Sequence, residues 1–455
     1  MKKASRRALP TPRERYEHGV ALRKKAPLEG HSDLRALGKR DPVAILAASD
    51  RTRVPELVPV RYERMLANPF AYLRGAAAVM AEDLKRQISP GILVQACGDC
   101  HLMNFGAFAT PEENILFDIN DFDETLPGVD FSIDLKRLVA SVAVAALAAG
   151  SSKKRARAVA AGTAGAYRTH IRRLSKLTPL EIWHGKIDLT QEIGQIGNAI
   201  LRRHLHRILH KAARRLEEDD NFPHLVKGKG ERIADRPPLI YHFAKKGDPR
   251  HRLNAERVFD TYRHRLPCER LYLIERYALK DIAFKVVGVG SVGTFCAVGL
   301  FMSSEGAPLF LQLKEARKSV LECLGVEFHG HPGRRVVEGQ RTMQAASDAF
   351  LGWAEDGKPA RYFYVRQLKN RRLGSISELV EGQALTSYAH LCGRTLARAH
   401  ARWGDATVLA GYMGKSEALD DALASFAMAY ARRTQDDYDQ LLRSKRMAEK
   451  KARNL

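Results

Sequence analysis

The sequence predicts an α+β fold in two parts, one large and mostly helical, the other a small antiparallel sheet. Three observations predict it. Strand-like runs cluster between residues 280 and 370, helical periodicity fills the chain on both sides of them, and a stretch rich in Asp, Gly and Pro (218–250) separates the first helical block from the strands. The corresponding division is a basic N-terminal arm (1–50), a helical block carrying an acidic loop (51–217), a linker or insertion (218–279), a β-rich unit (280–370) and a C-terminal helical block (371–455).

Taken in order, residues 1–50 read as short helical pieces broken by Pro10, Pro12, Pro27 and Pro42. Residues 60–87 read as a helix or two around Pro69, and Leu93 to Ala96 as a short apolar strand ending at Gly98. Ile115 to Ile119 is a second strand that runs into an acidic stretch, and a helix is expected from about Ile133 to Ala149. Further on, Ala283 to Val287, Thr294 to Phe301, Leu309 to Leu313 and Tyr362 to Leu368 are strand-like. A helix is expected over 336–352, from Val336, Met343, Ala346 and Phe350, and another over Ala384 to Arg402.

Composition narrows the function classes. Hydrophobic residues at 45% and charged residues at 28% suit packed cores rather than disorder. Six cysteines in 455 residues are too few for a disulfide scaffold, and the pair Cys97 and Cys100 has no second pair at zinc-ribbon spacing. No window holds the ~18 apolar residues of a spanning helix. The basic N-terminus lacks the apolar core of a secretory signal, so a cytoplasmic protein is expected. The formal charge of +23 favours anionic partners, nucleotides among them. Its basic clusters are spread along the chain and are not interleaved with aromatics, which gives nucleic-acid binding weak support.

Two constellations carry chemistry. CGDCHLMNFG places Asp99, His101 and Asn104 on one loop after a buried strand, and FDINDFDE places Asp121 at the end of another, with Asp118, Asp123 and Glu124 around it. Hard cations such as Mg²⁺ take oxygen ligands. In phosphoryl transfer one Asp accepts the hydroxyl proton, while an Asn and a second Asp hold the metal. The other constellation is VVGVGSVGTF, with Gly288, Gly290 and Gly293 between two strand-like runs. A dinucleotide fold would place a helix after such glycines. The β-branched, aromatic run that follows instead fits a glycine-rich loop over phosphates. The next strand, LFLQLKEA, carries Lys314, where a kinase places its phosphate-contacting lysine. Glu338 is the expected carboxylate partner of Lys314, with Glu322 as competitor, and Arg74 is expected in a helix-surface ion pair rather than on a phosphate.

Gly98-Asp99-x-His101-x-x-Asn104 resembles the catalytic loop of aminoglycoside-phosphotransferase-like kinases, and Asp121-Phe122-Asp123 resembles their metal-binding element. Gly128 followed by Asp134-Leu135 is similar to the segment whose aspartate props that loop from beneath. The resemblance implies Asp99 as catalytic base, Asn104 and Asp121 as metal ligands, with Asp123 a third candidate metal ligand beside them, Gly288, Gly290 and Gly293 over the phosphates, and ATP with Mg²⁺ as cofactors. Cys97 stands where those enzymes usually have His. In a kinase the glycine loop and lysine come first, so the order here implies a circularly permuted two-lobe fold. Across about Arg61 to Asp437 the chain resembles the bacterial family called domain of unknown function 2252, through RYERMLANPFAYLRG, CGDCHLMNFG, FDINDFDETLPG, VGVGSVGT, LQLKEA and VVEGQRTMQAASD. The function expected is phosphotransfer to an unidentified acceptor, such as a small molecule. Two alternatives stand beside it: a non-catalytic nucleotide-binding regulator with a basic surface, and a metal-dependent phosphohydrolase using Asp99, His101, Asp118 and Asp121.

Overall fold

Small side chains in FSIDLKRLVASVAVAALA let the helix Phe131–Ala148 be buried on nearly every side, capped by Asp130, whose Oδ1 accepts from Ser132 N at 3.0 Å. Around it pack the helices Lys153–Leu174, Leu385–Ala401 and Ala418–Arg453, forming the larger hydrophobic core. The computed structural model describes residues 9–34, 38–213, 222–226, 231–242, 254–286, 288, 292–357, 361–368 and 384–453. Among them the fold is mixed helix and strand, and every paired strand is antiparallel.

Ten strands among the described residues form three sheets. Two short pairs lie within the helical part: β1 (Leu93–Ala96) with β4 (Leu126–Asp130), and β2 (Phe105–Ala109) with β3 (Ile115–Ile119). The remaining six are β5 (Ile240–Tyr241), β6 (Tyr277–Lys285), β7 (Cys296–Ser303), β8 (Pro308–Glu315), β9 (Gly352–Asp356) and β10 (Arg361–Gln367), in the order β5-β6-β7-β8-β10-β9. Alternation along the strands buries both faces of this sheet. Ala297, Phe301, Leu311 and Leu313 join one cluster with Val258, Phe259 and Tyr262, while Val298, Leu300 and Phe310 join another with Ile233 and Ile240.

Two expectations of element placement change. The segment 218–279, expected as a linker or insertion, includes the helices Ala255–Arg263 and Cys268–Ile274, the first of which covers one face of the sheet with Val258, Phe259 and Tyr262. The helix expected over 336–352 is Pro332–Met343. It stops because Gln344 is extended and donates to Ile119 O at 2.6 Å, while Ala345 N donates to Asp118 Oδ2 at 2.9 Å. The basic arm holds the short helical pieces expected of it, among them Pro12–Leu22, which lies along Ala406–Met413 and whose Arg15 reaches Asp405 at 3.0 Å. No helix among the described residues is long and apolar enough to cross a membrane.

Candidate functional site

The acidic loop is shaped by a glycine and an aspartate. Gly98 has a φ of +89°, and a Cβ there would lie 2.1 Å from Glu124 O, so only glycine fits without moving the neighbouring backbone. Asp134, in the first turn of Phe131–Ala148, accepts from Cys97 N at 2.7 Å and Gly98 N at 3.0 Å. His400 Nε2 lies 3.2 Å from the same carboxylate, and its Nδ1 is 2.8 Å from Tyr167 Oη. This bracing turns Asp99 outward. Arg137, one turn beyond Asp134 on the same helix face, donates to Asp99 Oδ1 from Nε at 2.9 Å and Nη2 at 2.6 Å. Oδ2 remains, 3.7 Å from His101 Nε2. Burial raises the Asp99 carboxyl above its ordinary range, against the opposing field of Arg137. Asn104 Nδ2 donates to Asp99 O at 2.6 Å, and Asn104 O accepts from Asn120 N at 2.8 Å, which ties the loop to the end of β3.

Past β3 the carboxylates divide. Asp118 is buried and occupied: Arg398 Nη2 reaches Oδ1 at 2.5 Å, and Ile119 N and Ala345 N donate to it at 2.9 Å each. Among the described residues Asp121 accepts from Asp123 N alone, at 3.2 Å, and burial followed by its neighbour Asp123 raises its carboxyl. Asp123 takes Lys314 Nζ and Tyr364 Oη, each at 2.6 Å. Burial opposes the charge of Asp123, yet Lys314 and Tyr364 hold its carboxyl below the usual range. Lys314 and Tyr364 are directly opposite one another on β8 and β10. Glu124 Oε2 accepts from Val320 N at 2.7 Å, and burial pushes its carboxyl up to about 7.

Gly288 and Gly293 lie between β6 and β7, which pair as neighbours, so a strand rather than a helix follows the glycines. That arrangement lacks the helix N-terminus a dinucleotide site requires. Both glycines have positive φ, +73° and +87°. Gly290 lies outside the described residues. The turn is tied to the N-terminal helices: Gly293 O accepts from Val54 N at 2.7 Å, Val292 O from Arg53 Nη1 at 2.5 Å, and Gly288 O from Arg64.

A cavity of about 650 Å³ joins the two constellations, lined by Gly288 and Thr294 on one side and by Asp99, Asn104, Asp121 and Asp123 on the other. Lys314 reaches it through Asp123. Glu338 does not join: it is exposed on the outer face of Pro332–Met343 and takes Arg334 Nε at 2.7 Å. Its competitor Glu322 accepts from Ser319 N at 3.1 Å as part of a helix cap. The inward residue of that helix is Arg335, which donates to Asp123 O and Arg317 O at 2.8 Å and also to Thr125 O. Arg74, expected in a surface ion pair, lines the cavity instead. Cys97, Cys100 and Asp134 bring ligand atoms within 4.8 Å of one another; burial raises both thiols, Cys100 to about 11.

Sequence reasoning missed Arg137, Tyr364 and Arg335. Helical spacing after Asp134 could have found Arg137, whereas Tyr364 depends on strand register between β8 and β10. The chain belongs to a bacterial family of uncharacterized proteins, domain of unknown function 2252, which matches residues 53–444. Searches of curated proteins and of solved structures found no match.

Proposed function

We propose that this member of an uncharacterized bacterial family is an ATP- and Mg²⁺-dependent phosphotransferase of kinase-like fold with its halves in permuted order. The observation that carries the reading is the shared cavity, which brings Gly288 and Thr294 against Asp99, Asn104 and Asp121 although Gly288 follows Asp121 by 167 positions and Asp99 by 189. Strand order adds support. The glycine turn joins β6 to β7, Lys314 stands on the next strand, β8, and a helix intervenes before β9 and β10, as a kinase arranges these parts.

The residues fit the group they would hold. Asp121 is a part-exposed carboxylate with one backbone donor and no ion-pair partner among the described residues, facing the cavity beside Asn104, and hard cations take such oxygens. Bound there, ATP would supply the γ-phosphoryl group, with ADP as the group displaced from phosphorus by the acceptor oxygen, and Asn104 and Asp121 would hold the Mg²⁺. Asp99 holds Oδ2 free for the acceptor hydroxyl's proton, because Arg137 binds Oδ1 alone. Lys314, kept charged by Asp123 against the pull of burial, orients phosphate oxygens together with the backbone of the glycine turn. The phosphohydrolase alternative leans on Asp118, which faces Arg398 and the helical core rather than the cavity.

ATP turnover over a panel of hydroxylated acceptors tests the reading. In Asp99→Asn it is expected to fall by roughly 10² to 10⁴-fold while nucleotide binding survives. Retained turnover would remove Asp99 from the role of base.

A further inference from the structure

Arginines line the same cavity that phosphotransfer does not use. Arg61 is engaged, with Nη1 on Asp50 Oδ1 and Nη2 on Gly75 O, both at 2.8 Å. Arg317 is engaged as well, by Thr52 Oγ1 at 2.8 Å and Glu315 at 2.7 Å. Arg74 differs. It stands in the last turn of the helix Pro69–Gly75, mostly buried, and its guanidinium makes no hydrogen bond or ion pair among the described residues.

Asp99 is the carboxylate whose field reaches Arg74, but Arg137 already holds Asp99 through two nitrogens. Burial lowers the Arg74 pKa, as expected of a cation deprived of water without a partner of its own. Arg53 on the same wall is only partly engaged, through Val292 O and a 3.4 Å approach to Asp50. The part-exposed carboxylate of Asp121 and guanidinium of Arg74 therefore both face the cavity without an ion-pair partner among the described residues, and it is Arg74 that feels the field of Asp99. A partly buried charge without a partner is costly unless a ligand completes it. A guanidinium offers its parallel N–H groups to two oxygens of one phosphate or carboxylate.

We propose that the acceptor presented to Asp99 carries an anionic group, a phosphate or a carboxylate, held by Arg74 with Arg53 beside it. The word acceptor rests on the phosphotransfer reading; the anion site rests on Arg74 and Arg53 alone. Calorimetric titration of the full chain without nucleotide, at constant ionic strength, tests it. The probes are glycerol 3-phosphate and malate, each compared with glycerol. Binding of at least one anion is expected and glycerol is not expected to bind; the tighter anion names the group. Arg74→Met is expected to weaken the anion at least tenfold while the stabilisation by ATP and Mg²⁺ is unchanged, and Arg53→Met is expected to weaken the anion at least threefold. Should Arg74→Met not fold, Arg53→Met carries the test. Unchanged anion affinity in the folded variants, no anion binding at all, or an equal loss of ATP binding in Arg74→Met would each overturn the proposal. Anion binding through Arg74 with no nucleotide binding would sink the phosphotransfer reading and leave the anion site standing. The reverse result would do the opposite.

Discussion

Behind Asp99 the loop 97–104 is braced by side chains of the helical core, whereas the turn opposite it hangs by backbone carbonyls from Arg53, Val54 and Arg64. The first wall uses buried charges with fixed partners: Asp134 under the loop, Arg398 on Asp118, Arg137 on Asp99. The second uses glycine conformations and neutral acceptors. A wall built from buried pairs fails when one partner is removed, because the other is left charged or unsatisfied away from water. A wall built from backbone contacts can shift with its tethers. This difference orders what substitutions should do.

The largest stability loss is expected from Asp134→Ala, which strips acceptors from Cys97 N, Gly98 N and His400 together. A loss of about 4 kcal/mol is expected in chemical denaturation; a loss below about 1 kcal/mol would break the claim that the loop is braced from beneath. Arg398→Ala should cost about 3 kcal/mol by leaving Asp118 buried without its cation. Asp121→Ala, three residues from Asp118, should cost less than about 1 kcal/mol or stabilise, since it removes a carboxylate that has no ion-pair partner among the described residues. Equal losses in the two would erase the distinction between the buried pair and the cavity-facing carboxylate.

Two buried lysines sharpen the comparison. Lys314 is kept charged by Asp123, while Lys136, in the helical core, has Gln87 Oε1 at 2.9 Å and the Phe426 ring at 5.1 Å, and burial drives it down to about 7. Between that value and the ordinary lysine value the unfolded chain binds the extra proton, so the Lys136 contribution makes stability rise with pH from about 7 upward. Denaturation at pH 7 and pH 10 should show Lys136→Met removing about 3 kcal/mol of that rise. An unaltered pH slope would contradict it. Smallest of all, Glu338→Ala should change stability by less than about 0.5 kcal/mol and leave nucleotide binding intact, because among the described residues Glu338 pairs with Arg334 alone, and that pair is exposed.

Much of the acidic wall was legible. The strands Leu93–Ala96 and Ile115–Ile119 have the bounds their apolar runs suggest, and the grouping of Asp99, Asn104 and Asp121 follows from loops at adjacent strand ends. What was not legible depends on orientation rather than on identity. Periodicity places Glu338 on a helix without saying which way that helix is turned, and the buried face proved to carry Arg335, Val336 and Val337. The partner of Lys314 came instead from a loop 191 residues away in sequence. The helix Ala255–Arg263 was hidden because its apolar residues are few and follow a stretch rich in turn formers. Arg74 was read as a surface residue because nothing in FAYLRG tells that a cavity opens beside it.

The most direct measurement is the thermal midpoint of the full chain with and without ATP and Mg²⁺, run beside Lys314→Ala and Asp121→Ala. A ligand bound only by the folded state at a hundred times its dissociation constant adds about 2.7 kcal/mol. A metal-dependent rise in midpoint that both variants lose would unite the two walls as one nucleotide site. An unchanged midpoint at saturating nucleotide would contradict that account.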